Sequence, residues 1–283
     1  MQRQLQQIIN AQATSDGAGV RIMRTLGQTR FARLDPFLML DEFGSSDADD
    51  YIAGFPSHPH RGFETVTYML EGHMLHQDHL GNEGLLDSGD VQWMTAGRGI
   101  IHSEMPRQES GVMRGFQLWI NLPAAEKMKP AHYQDIKADT IPQVQLAKGG
   151  SLKLIAGEYD SGGTLIQGAV TGITTQPTYF DVALDEGQEF THQIPQEHSC
   201  FIYVYEGELR VGADRRPLKQ RQLGVLVEGE DIQTAASSAN TRFLLLAAKP
   251  IKEPVVQYGP FVMNTQEEIE QAITDYRQGL FGS

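Results

Sequence analysis

Two pairs of metal-ligand residues stand at strand spacing and bracket one stretch of chain: His58 with His60, and His102 with Glu104. Alternate side chains of a β-strand share a face, so each pair presents both members to the same side. Pro59 stiffens the backbone between the first two histidines. The runs 66–71 and 90–95 read as strands, with Gly72 and Gly89 as turn residues. Curled into one small barrel, these strands bring both pairs to one interior point. A single His-x-His is common by chance, and any one of these histidines is equally well explained as a hydrogen-bonded core residue. The second pair is what separates a metal site from coincidence. Three imidazoles and a carboxylate suit one first-row divalent metal with room for an exogenous ligand.

The chain then repeats itself. TYMLEG (67–72) is echoed by YVYEG (203–207), and Gly72 and Gly89 recur as Gly207 and Gly224 at the same separation. Carried outward at constant offset, the alignment puts Gln193, Pro195, Ser237 and Ala239 at the four ligand positions. The second half therefore reads as a barrel without metal. Nearby His192 and His198 offer an alternative site, but no second ligand pair follows Gly224.

The wording of these segments resembles a known family. GFPSHPHRGFETVTYMLEG and GDVQWMTAGRGIIHSEMP are similar to the first and second cupin motifs. HPHRGFETVTY (58–68), GDVQWMTAGRGIIHSEMP (89–106), LDPFLMLDEF (34–43) and GPFVMNTQEEI (259–269) resemble segments of the pirins within that superfamily. The resemblance implies an all-β bicupin: two tandem antiparallel β-barrels of jelly-roll type with a C-terminal helix, only the N-terminal barrel carrying metal. It also decides between two glutamates. In many cupins the fourth ligand stands where this chain has Glu64; the pirin match assigns Glu104 instead and leaves Glu64 to orient an imidazole or pair with Arg61.

The activity implied is that of a quercetin 2,3-dioxygenase, which opens the central flavonol ring with O2 and releases carbon monoxide. Glu104 is then the catalytic base for the flavonol 3-hydroxyl, alongside its role as ligand. The cofactor is one divalent transition metal per chain, Fe(II) by cellular availability, with Zn, Cu, Mn, Co or Ni compatible with the same donors. Phe55, His76, Gln117 and Trp119, with Arg61, are the expected pocket or outer-sphere residues around a small planar aromatic or enolic substrate. A second reading from the same resemblance is a regulatory binding protein whose metal redox state alters the surface shown to a protein partner. A third, a phosphosugar isomerase, needs a basic pocket that Arg61 and Arg98 alone do not make.

Composition narrows the classes. With 40% hydrophobic residues, 283 residues build a full core, and 29 glycines and 13 prolines suit many strands and turns. The net charge of −13 argues against direct nucleic-acid binding. The single cysteine, Cys200, excludes an internal disulfide and fits a reducing compartment, with a packed thiol beside Phe201 and Ile202. No run has the length of a signal peptide or membrane span, so a cytoplasmic location is expected. Residues 125–136 read as a linker, giving an N-terminal domain 1–135 and a C-terminal domain 136–283. Thr265 and Glu268 form a capping-box pattern before a stripe of Ile269, Ala272, Ile273 and Tyr276, with Gly279 as the stop.

Overall fold

The computed structural model describes residues 1–29, 32–147 and 149–282. The chain is all-β apart from one regular helix and three short 3-10 turns among the described residues. It divides into two compact units, residues 12–138 with 251–283, and residues 1–11 with 139–250. This corrects the sequential division at residue 135. The strand Leu5–Asn10 pairs with Gln222–Leu226 of the second unit. The C-terminal helix belongs to the first unit.

Each unit is a double sheet. In the first, a seven-stranded antiparallel sheet runs in the order His132–Ile136, Val91–Thr95, Phe63–Glu71, Met113–Asn121, Phe37–Ser45, Val20–Arg24, Gln12–Asp16. Its four-stranded sheet runs Phe55–His60, Ile100–Pro106, Met74–Asp78, Glu83–Leu86. The second unit repeats the plan. Leu5–Asn10, Gln222–Leu226, Ser199–Glu206, Thr241–Ala248, Thr178–Leu184, Ser151–Ala156 and Gln143–Gln145 form the large sheet, and Glu189–Gln193, Asp231–Ala236, Glu208–Val211 and Arg216–Lys219 the small one. The sheets do not close by hydrogen bonding into continuous barrels, as the sequence had suggested. They pack across a shared core, the jelly-roll solution to burying one face of each sheet.

Alternation produces this packing. On Met113–Asn121, Phe116, Leu118 and Ile120 are fully buried, while Gln117 and Trp119 are half-buried on the other face. Residues 132–136, read as linker, are instead a strand paired with Val91–Thr95. The polar sequence HYQDI gave no apolar alternation because the strand lies at the sheet's edge. In the helix Gln266–Arg277 both halves of the capping box form. Ile269 and Ala272 pack against Phe261, Met263 and Phe281, whereas Tyr276 stays largely exposed.

One turn residue matters for the site. Gly62, two positions after His60, has φ +88°, and a Cβ there would lie 2.0 Å from the Val262 carbonyl oxygen. Only glycine lets the chain turn this tightly against the segment Phe261–Met263. Gly224, in contrast, is no turn. It lies mid-strand opposite Ile202, whereas Gly89 has φ +90°.

That difference shifts the internal repeat. With the turns at Gly72 and Gly207 aligned, Met74 corresponds to Leu209 and His76 to Val211. Met74 pairs with Pro106 and His76 with Glu104; Leu209 pairs with Ala236 and Val211 with Thr234. The partner of Ile232 is His192, as that of His102 is His58. The ligand positions His58, His60, His102 and Glu104 therefore match His192, Ile194, Ile232 and Thr234. Gln193, Pro195, Ser237 and Ala239, placed there by constant offset, are not the counterparts. The second unit still lacks the ligand set.

Candidate metal centre

Antiparallel pairing sets His58 directly opposite His102 and His60 opposite Ile100. Three imidazoles from two adjacent strands thus meet, with one ring nitrogen of each within 4.8 Å of the others. His58 Nε2 and His102 Nε2 are 2.9 Å apart. His60 and His102 are 2% and 1% exposed, and His58 is half-buried.

The rings are held by their other nitrogens. His58 Nδ1 lies 2.8 Å from the Pro56 carbonyl oxygen, which only accepts, so Nδ1 carries the proton and Nε2 keeps its lone pair. His102 Nδ1 is 2.7 Å from His76 Nε2, and His76 is itself buried. The His76 ring stands 5.1 Å from that of Tyr133, whose hydroxyl donates to Asp78. Burial, reinforced by neighbouring imidazoles, holds His60 and His102 well below the usual 6.5. Burial also lowers His76, against the opposing pull of Glu104, Asp78 and Asp135. His60 and His102 are therefore neutral near pH 7, the form in which imidazole ligates a metal.

A register shift follows His102, so Glu104 pairs with Phe55 on one side and His76 on the other. Its carboxylate lies outside the group of three imidazoles. Oε2 accepts from the Gln117 amide at 3.1 Å. The Thr67 hydroxyl is 2.9 Å from Glu104 Oε1 and 2.7 Å from Gln117 Oε1, and its single proton serves one of them at a time.

The other expected site residues separate. Trp119 is beside the cluster, its ring 5.3 Å from His60 and 4.4 Å from Phe63, with its buried indole N–H lacking a hydrogen-bond partner among the described residues. Phe55 packs instead against the cluster of Val20, Ile22, Phe43 and Tyr51. Glu64 is 1% exposed and accepts from Trp93 Nε1 and the Thr95 hydroxyl, with Lys129 at 3.8 Å. Arg61 does not pair with it. The guanidinium turns to the C-terminal helix, donating to Asp275 at 2.7 Å and lying 4.5 Å over the Phe281 ring. Of the three histidines at 73, 76 and 79, His73 binds Asp87 and His79 accepts from the Ile101 amide, while His76 reaches the centre. Thr67 and Tyr133 escaped the sequence reading. A threonine in a strand carries no mark of its inward hydroxyl, and Tyr133 lay in the stretch taken for a linker.

The donor set fits a metal. Both His60 nitrogens are buried without a hydrogen-bond partner among the described residues. A buried polar atom left unpaired costs about 1–3 kcal/mol, and a divalent cation accepts such a lone pair directly.

The Pirin family profile matches residues 19–120, and that of the pirin C-terminal cupin domain matches 179–282. A Pseudomonas aeruginosa protein named "Putative quercetin 2,3-dioxygenase" is 54% identical over 267 residues, covering 94% of this chain and 93% of its own. Human pirin is 42% identical over 273 residues, covering 95% and 90%. A crystal structure of quercetin 2,3-dioxygenase from Acinetobacter baumannii superposes with a TM-score of 0.90 at 36% identity, covering 100% of this chain and 99% of that one. The chain belongs to the pirin family.

Proposed function

We propose that this chain is a metal-dependent dioxygenase that opens the central ring of quercetin-like flavonols with O2 and releases carbon monoxide. The observation that carries the reading is the meeting of the His58, His60 and His102 imidazoles, with both His60 nitrogens buried and unpartnered among the described residues. Likeness to the Acinetobacter quercetin 2,3-dioxygenase over the whole chain supports it. His58, His60 and His102 would hold one divalent metal, Fe(II) by availability, with Glu104 as fourth ligand. When bound, the metal supplies a Lewis acid for the substrate's hydroxyl and a one-electron partner for O2.

The chain's own residues supply the rest. Pro56 O and His76 fix two of the imidazoles, so their facing nitrogens need no reorientation on loading. Glu104, held by Thr67 and Gln117, accepts the proton of the flavonol 3-hydroxyl. Buried Phe63 and half-buried Trp119 flank His60 and limit water there.

The test measures O2 and carbon monoxide together during incubation of the metal-loaded protein with quercetin. Consumption of one with release of the other supports the reading. Quercetin binding with neither gas changing, across the six metals named, removes it and favours the regulatory alternative.

A further inference from the structure

A cavity of about 1060 Å3 opens in the second unit. The hairpin Glu158–Asp160 and Leu165–Gln167, the edge strand Glu189–Gln193 and the connection 170–178 surround it, all within that unit. Its size is at the upper end for small-molecule sites, roughly 300–1,000 Å3. His192, the counterpart of His58, lines it. The other counterparts, Ile194, Ile232 and Thr234, supply no ligand set. Among the described residues, His58, His60 and His102 form the one cluster suited to a metal. A ligand in this cavity is therefore held without metal.

The lining states its charge. No lysine or arginine contributes, while Glu158, Asp160 and Asp231 do. Such a surface repels phosphates and carboxylates. Amides and hydroxyls, among them Gln167, Gln176, Gln193, Gln233, Thr178 and Thr191, alternate with apolar residues such as Leu165, Val170, Ile173 and Ile232 in the rest. An amide offers donors and an acceptor together, and a hydroxyl does the same. Two of the carboxylates already accept from amides, Glu158 from Gln167 at 2.6 Å and Asp231 from Gln193 at 3.2 Å. Two imidazoles complete the lining. His198 is 4% exposed and its Nδ1 has no hydrogen-bond partner among the described residues. Burial pushes His192 down to about 4, so it is neutral at pH 7, its ring 4.9 Å from Phe180 and 5.9 Å from Tyr159.

We propose that this cavity binds an uncharged ring compound carrying several hydroxyl groups, recognised by imidazole, amide and hydroxyl side chains without a metal. Such a ligand brings both donors and acceptors, matching the mixed lining, and no negative charge for the carboxylates to repel. A saccharide and a polyphenol share this chemistry. The proposal is independent of the reaction assigned to the first unit.

The test follows the His192 imidazole resonances of the metal-loaded full chain by NMR. Maltose and catechin are the neutral probes; glucose 6-phosphate and protocatechuate are their anionic counterparts. At least one neutral probe should shift His192 saturably, about tenfold more tightly than its anionic counterpart. Maltose binding marks the source as carbohydrate, and catechin binding as phenolic. His192→Leu and Thr178→Val should each weaken the binding several-fold with the chain's metal content unchanged. Should either variant fail to fold, the wild-type titrations decide alone. Absence of any His192 shift with both neutral probes, or equal affinity for the anions, overturns the proposal.

Discussion

The two units share a strand order and differ in what they bury at matching positions. In the first, His60, His102, Glu104, Thr67 and His76 are all buried and polar. In the second, the counterparts are Ile194, Ile232, Thr234, Ile202 and Val211, four of the five aliphatic and all buried. The double sheet therefore does not need polar side chains there. Burying them costs stability unless every group finds a partner, and a bound metal would supply the partner His60 lacks among the described residues. The same scaffold thus carries an apolar filling at these positions in one copy and a polar one in the other.

The sharpest way to break this comparison is at the carboxylate. Glu104→Gln should lower turnover by about 10²- to 10⁴-fold, the usual range for a general base. Thr234→Val at the matching position should leave turnover within a few-fold. Similar losses from both would mean that Glu104 acts through the fold rather than on the substrate.

Next is the support for His102. His76→Leu removes the hydrogen bond to His102 Nδ1 and should weaken metal binding by about 10- to 100-fold. Val211→Ala should leave it unchanged. Competition against a chelator measures both.

Stability offers a further test. Lys127 is 1% exposed, and its ammonium donates to the carbonyls of Gly62 and Val262 and to Asn121 Oδ1. It thereby ties the turn after His60 to the C-terminal segment. Lys127→Met leaves three acceptors unmet and should cost about 3 kcal/mol in denaturant unfolding. A loss below about 1 kcal/mol would show that those carbonyls find other partners.

The last effect concerns pH. The folded state holds His60 and His102 below 6.5, so below that value the unfolded chain binds protons that the folded chain refuses. Stability of the metal-free protein is then fully present above pH 6.5 and falls as pH drops below it, by at most about 1.4 kcal/mol per pH unit for each imidazole. His192 contributes the same sign from the second unit as one further imidazole. Urea unfolding at pH 7 and pH 5.5 should show the slope, and His60→Leu should reduce it. An unchanged slope would place the acid sensitivity elsewhere.

The imidazole cluster was legible in the sequence because strand period alone puts His58 and His60, and then His102 and Glu104, on common faces. The family and the double-sheet class were legible from long contiguous motifs for the same reason: local pattern carries them. What failed were inferences about distant partners. Arg61 follows His60 directly, yet its partner Asp275 is on the C-terminal helix, and nothing local announces that. The arm Leu5–Asn10 finds its partner at Gln222–Leu226, so chain order could not give the unit boundaries. Gly224 looked like the twin of Gly89, but a glycine serves a turn or a crowded strand equally well, and only pairing separates the two. Glu64 and Glu104 are both buried and hydrogen-bonded, and geometry distinguishes them by neighbours: Trp93 and Thr95 for one, Thr67 and Gln117 near the imidazoles for the other.

The central claim is that one unit holds metal and the other does not. Elemental analysis of the reconstituted full chain, beside His60→Ala, tests it most directly. One metal per chain, lost in His60→Ala while the variant stays folded, is the expected result. Two metals per chain, or one that survives His60→Ala, would contradict it.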